Sequence, residues 1–235
     1  MVRSPGAPIG LLAAIAAASA VLAPACREGP AEGAARAVAV EAPDLDVLGE
    51  VPDFAFTDQT GAPVRAADLR GRVQVASFLF TRCPTICPTS AMKLKRIGER
   101  LAERAAAVDL VSFSVDPEHD TPPVLAAFAA RYGADPARWR FLTGPPAAIR
   151  AAVEQGFRIA VDRGAALADG TPTIVHGTHY VLLDRQLRIR GYYDSDEPAR
   201  LDQLVADAIR LTREPTPVPP SVDTKGLPAG PQEGP

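Results

Sequence analysis

A chain of 235 residues has room for one mid-sized domain with extensions. Hydrophobic residues make up 47% of it and charged residues 23%, which excludes global disorder. The 25 Lys and Arg against 28 Asp and Glu leave a net charge of −3, which excludes the basic field that gathers phosphates along a nucleic acid.

Residues 1–26 carry a short cationic start at Arg3, an apolar run from Ile9 to Ala23 and small residues leading to Cys26. The run has the length of a signal-peptide core and falls short of the roughly 20 residues of a membrane span, so it reads as an export signal. The stretch resembles a bacterial lipobox, in which the cysteine is lipidated and becomes the mature N-terminus, although Ala23 stands where that motif carries Leu and Leu22 lies one place early. An uncleaved anchor helix or an ordinary cleaved signal are the other readings. All three deliver the domain outside the cytoplasm. Residues 27–47, rich in Ala, Gly, Glu and Pro, read as a flexible tether, and the recurrent prolines of residues 214–235 read as a disordered tail. The working domain is expected over residues 48–213.

Within it, residues 53–57 and Val64 flank the turn DQTGAP, which predicts an N-terminal hairpin. Residues 72–80, RVQVASFLF, form an almost continuous apolar run suited to a buried central strand. Helical spacing follows over 91–107, with Met92, Leu94, Ile97 and Leu101 as the main apolar positions, then a second buried strand over 108–115. Thr121, two prolines and the run ending at Gly133 predict a capped helix. A further helix is expected over 146–155, strands over 157–161, 179–183 and 189–193, and a closing helix over 198–212. This order is an α/β sandwich around a mixed sheet.

The chain has three cysteines. Cys26 belongs to the signal; Cys83 and Cys87 lie in TRCPTICP, directly after the central strand and at the start of the following helix, where open α/β sheets place their ligands. Residues four apart on a helical turn have Cβ atoms about 5–6 Å apart, so the two sulfurs can share a metal ion or form a disulfide. A helix N-terminus should lower the thiol pKa. An inert stabilising disulfide is a poor explanation, because so small a loop removes little unfolded-state entropy. Of the three histidines, His119 sits in the polar loop SVDPEHDTPP and reads as exposed. His176 and His179, in TIVHGTHYVLL, lie on opposite faces if the segment is one strand, so one of them is the candidate third ligand. Two thiolates and an imidazole suit Cu(I) with an open position for transfer, whereas closed zinc sites want a fourth protein ligand.

The segments FLFTRCPTICP, SVDPEHDTP and VHGTHYVLLD, in this order and at these intervals, resemble the Sco/SenC family over about residues 50–210. The resemblance implies a thioredoxin-like fold, anchoring on the outer, periplasmic face of the bacterial cytoplasmic membrane, and copper, as Cu(I) and also Cu(II), bound by Cys83, Cys87 and His176. It implies assembly of the binuclear copper centre of cytochrome c oxidase by metal delivery, thiol reduction or both. The expected partners are the oxidase subunit that carries that centre and a copper donor. Asp116 matches an acidic residue near the family's site. Gly177 departs from the Ser or Thr that follows the family's histidine, and His179 is an addition. The alternative is a thiol-disulfide oxidoreductase of thioredoxin or peroxiredoxin type. Typical reductases, however, space their cysteines by two residues and face them with a cis-proline, where this chain has Thr178.

Overall fold

The computed structural model describes residues 44–84, 86–165 and 174–215, and for residues 163, 175 and 176 the backbone alone. The signal, most of the tether and the Pro-rich tail expected from the sequence lie outside the described residues.

The predicted central strand is β4 (Val73–Leu79), buried at all seven positions. It can be apolar on both faces because each is covered. It pairs in parallel with β5 (Val108–Ser114), which pairs in parallel with β6 (Trp139–Thr143), and antiparallel with β9 (His179–Leu183). Outside β9 lies β10 (Arg188–Asp194), then the short β1 (Gly49–Glu50). On the far side of β6 the hairpin of β2 (Ala55–Asp58) and β3 (Pro63–Arg65) completes an eight-stranded mixed sheet. Asp58 forms the hairpin turn, its carboxylate accepting the Thr60 and Ala62 backbone N–H groups at 2.8 and 3.1 Å.

Three helices pack side by side on one face: α1 (Ile86–Glu103), α2 (Pro122–Tyr132) and α4 (Pro198–Arg213). Helix α1 buries Ala91, Leu94, Ile97 and Leu101, while Met92, expected in this stripe, is exposed. The helix starts five residues before the expected Ala91, and that earlier start places Cys87 in its first turn. Helix α2 ends at Gly133, whose φ of 62° supplies the left-handed cap the sequence predicted. On the other sheet face Phe78 and Phe113 stack at 5.9 Å, and Phe54, Phe56 and Phe157 close around Phe113. Removing the fully buried Phe113 side chain would cost about 3–5 kcal/mol.

Helix α3 (Pro146–Ala151) continues as a wide turn (Ala152–Gly156), and the strand expected over 157–161 is not formed there. Phe157 keeps helical backbone angles and enters the aromatic cluster, and Arg158 adopts a φ of 57°, which breaks extension. The strand begins only at β7 (Val161–Arg163), which pairs with β8 (Ile174–His176) in a separate two-stranded sheet. Strand β6 is not evident from local sequence, because Trp139–Thr143 is short and follows a polar stretch. Burial between β5 and the hairpin selects it.

Candidate metal centre

Strand β4 delivers Phe80 to the sheet's end, where the chain turns through Thr81 and Arg82 into Cys83, whose N–H donates to the Phe80 carbonyl at 3.2 Å. Helix α1 then carries Cys87. The Cys87 backbone N–H donates to Cys83 Sγ at 3.4 Å, so the first sulfur occupies the unsatisfied end of the helix that holds the second. Both side chains are buried, Cys83 at 7% and Cys87 at 1% exposure. Burial pushes the Cys87 thiol well above its ordinary pKa, and the neighbouring Cys83 and Asp120 add to the rise against a lowering hydrogen bond at Phe80. This corrects the expectation of a lowered pKa: desolvation outweighs the helix N-terminus at Cys87.

The loop after β5 grips the turn before Cys83 with two buried carboxylates. Asp116, 1% exposed, accepts both Nε and Nη2 of Arg82 at 3.1 and 2.7 Å. Asp120, fully buried, accepts the Thr81 N–H at 3.1 Å, the Thr81 hydroxyl at 2.5 Å and the Ser114 hydroxyl at 2.6 Å. Burial raises the Asp120 pKa, and the donors from Ser114 and Thr81 offset part of that rise. The candidate Asp116 thus reaches the centre through Arg82. Neither Asp120 nor Thr81 stands out from local sequence, although Asp120 is the second aspartate of the SVDPEHDTP segment and its spacing from Asp116 is the available signal.

The antiparallel register of β9 on β4, Ala76 opposite Val181, brings the start of β9 to the same end of the sheet. Tyr180 ties it to α1 through a 2.7 Å bond from its hydroxyl to the Ser90 carbonyl. His176 ends β8 opposite Val161, and His179 begins β9 opposite Asp194. The two histidines therefore belong to different strands in different sheets, and period-two parity does not carry across Gly177 and Thr178. His179 borders a small pocket together with Cys87, Ser90 and Thr178. Among the described residues no three His, Cys, Asp or Glu side chains are close enough to hold a metal ion, so Cys83, Cys87 and His179 do not form a set as they stand. His119 is exposed, as expected.

A buried thiol pair thus follows the central strand of this sheet, with a loop bearing two buried aspartates beside it. The SCO1/SenC family model matches residues 46–212. This chain belongs to the SCO1/SenC family. The SCO1 protein homolog of Bacillus subtilis is 31% identical over 67% of this chain and 80% of its own length. Protein SenC of Rhodobacter capsulatus is 31% identical over 66% of this chain and 67% of its own. Among solved structures, a SCO1/SenC family lipoprotein from Bacillus anthracis superposes with a TM-score of 0.63 at 32% identity, covering 69% of this chain and 95% of its own. Copper-bound ScoI of Bradyrhizobium japonicum gives 0.60 at 28% identity, covering 69% and 99%. The family neighbours share the thioredoxin-like fold expected from the sequence. No helix among the described residues is long and apolar enough to cross a membrane.

Proposed function

We propose that this SCO1/SenC protein carries copper outside the cytoplasm, holding the ion through Cys83, Cys87 and His176, and helps assemble the binuclear copper centre of cytochrome c oxidase. The single observation that carries the reading is the thiol pair itself, two buried sulfur side chains joined by the 3.4 Å Cys87 N–H to Cys83 Sγ contact. Soft thiolates in an apolar setting select Cu(I) over harder ions. The relative from Bradyrhizobium japonicum was solved with copper bound, and a solved Sco protein with a disulfide switch is described as a member of a family of cytochrome c oxidase assembly proteins. His176 is assigned by its place in the family motif. It is supported by the arrival of the 176–179 segment at the sheet end that bears the cysteines.

Copper here is cargo. Cys83 and Cys87 give up their protons as the ion binds, the buried walls keep water and oxidants away, and His176 supplies the neutral donor. The same pair, without copper, can reduce a disulfide in the oxidase subunit, so delivery and reduction are two uses of one site. The proposed partners are the oxidase subunit bearing the binuclear centre and a copper donor. The anchor is Cys26, lipidated on the periplasmic side of the membrane, in keeping with the lipoprotein relative from Bacillus anthracis.

The test is the Cu(I) stoichiometry of the detergent-solubilised full chain under reducing conditions. One ion per chain is expected, and Cys83→Ser or Cys87→Ser should abolish tight binding. Full affinity in either variant removes the assignment.

A further inference from the structure

The two carboxylates of the loop after β5 are unequal. Asp116 meets a partly exposed arginine, whereas Asp120 is fully buried and spends its acceptor capacity on two residues. Two of its three donors come from Thr81, the residue at which the chain leaves the sheet toward Cys83: the backbone N–H at 3.1 Å and the hydroxyl at 2.5 Å. The third, the Ser114 hydroxyl at 2.6 Å, joins the carboxylate to the end of β5. Ser114 also accepts the Asp116 N–H at 3.1 Å, so one hydroxyl links both acids. A buried charge is retained only when its lone pairs are occupied, and here they are occupied by the turn that aims Cys83. Cys83 in turn closes back on Phe80 at 3.2 Å and receives the Cys87 N–H on its sulfur. The path from carboxylate to sulfur is therefore short and made of directional bonds.

We propose that Asp120 is a positioning residue for the thiol pair: by fixing Thr81 it sets the placement of Cys83 against Cys87, and with it the pair's disulfide equilibrium and Cu(I) affinity. Closing the bridge passes two electrons and two protons from the thiols to oxidised dithiothreitol, whose own S–S bond opens as the Cys83 to Cys87 bond forms. Both chemistries need the sulfurs pre-placed; neither needs Asp120 to touch them.

The experiment compares the full chain with Asp120→Ala, Asp120→Asn and Thr81→Val. Each is equilibrated in dithiothreitol redox buffers with trapping of the peptide that bears both cysteines, and each is titrated with Cu(I) against a chelator. Asp120→Ala should make the disulfide about tenfold less favoured, about 30 mV, and weaken Cu(I) to a similar degree. Asp120→Asn keeps the shape and one acceptor oxygen, enough to hold Thr81, but loses the charge and turns the other acceptor into an NH2 donor, so it should fall between wild type and Asp120→Ala. Thr81→Val removes the hydroxyl pin and leaves Asp120 in place; it should move both readouts several-fold in the same direction and decides the matter if Asp120→Ala does not fold. Unchanged equilibria in a folded Asp120→Ala or in Thr81→Val overturn the proposal. The copper arm rests on the proposed function and the dithiothreitol arm does not. A wild-type chain that binds no Cu(I) therefore sinks the copper reading and leaves the disulfide equilibrium to judge Asp120.

Discussion

Arg82 lays its guanidinium on the buried carboxylate of Asp116, Nη2 2.7 Å from Oδ2, one residue before Cys83. The arginine side chain is 30% exposed and the aspartate 2%, so the carboxylate depends on the pair more than the guanidinium does. Arg82→Ala should lower stability by about 2 kcal/mol, below the cost of breaking a fully buried pair because water reaches the arginine. Urea unfolding of Arg82→Ala, Asp116→Ala and the double variant checks this. A coupling energy near zero would mean the pair is held passively by the surrounding loop.

The histidines should separate in Cu(I) affinity. His176→Ala is expected to weaken binding by at least about tenfold, roughly 1.4 kcal/mol, without erasing it, since two thiolates still hold the ion. His179→Ala should change it little. His179 borders the pocket beside Cys87, so this is a demanding comparison. A large loss in His179→Ala with normal binding in His176→Ala moves the third ligand to β9.

Copper should protect its own thiols. Sulfur lone pairs engaged with the metal are withheld from an oxidant, so the copper-loaded chain should resist bridging while the apo chain closes Cys83 to Cys87. Thiol trapping over time, read by mass on the peptide with both cysteines, measures the two rates. Equal rates would place copper elsewhere.

Cys26→Ala should stop lipid attachment and lipoprotein-type processing while leaving Cu(I) stoichiometry at one. Acyl labelling in cells, followed by copper analysis of the purified variant, reads both. Unchanged labelling sinks lipidation at this cysteine.

Asp120 should leave a mark on the pH dependence of stability. Burial raises its folded-state pKa above the unfolded value, so the folded chain binds its proton more tightly than the unfolded chain. The stabilisation from that proton is complete below the unfolded value and is lost as pH rises through the folded one. As pH rises from about 4, near the unfolded value, through the raised folded one, wild type should therefore lose stability relative to Asp120→Asn, which has no proton to release. Chemical unfolding at several pH values measures the difference. A difference that stays flat over this range would show an unperturbed carboxyl.

Local chemistry made much of this protein legible in one dimension. The apolar run of β4, the proline start and glycine stop of α2, the Asp58 turn and the two cysteines after the central strand each depend on neighbours within a few residues, and the structure has them where the sequence implied. Tertiary structure decided what depends on burial and on distant partners. Desolvation by the packed core, not the helix end, governs the Cys87 thiol. Strand β6 exists because β5 and the hairpin need a partner between them, and residues 157–160 form no strand because the aromatic cluster draws Phe157 inward. Parity between His176 and His179 failed because one apolar run is divided between two sheets, a division set by what each half pairs with. Asp120 stayed hidden because its partner Thr81 is 39 residues away in the chain, and only the parallel pairing of β4 with β5 brings the two loops together.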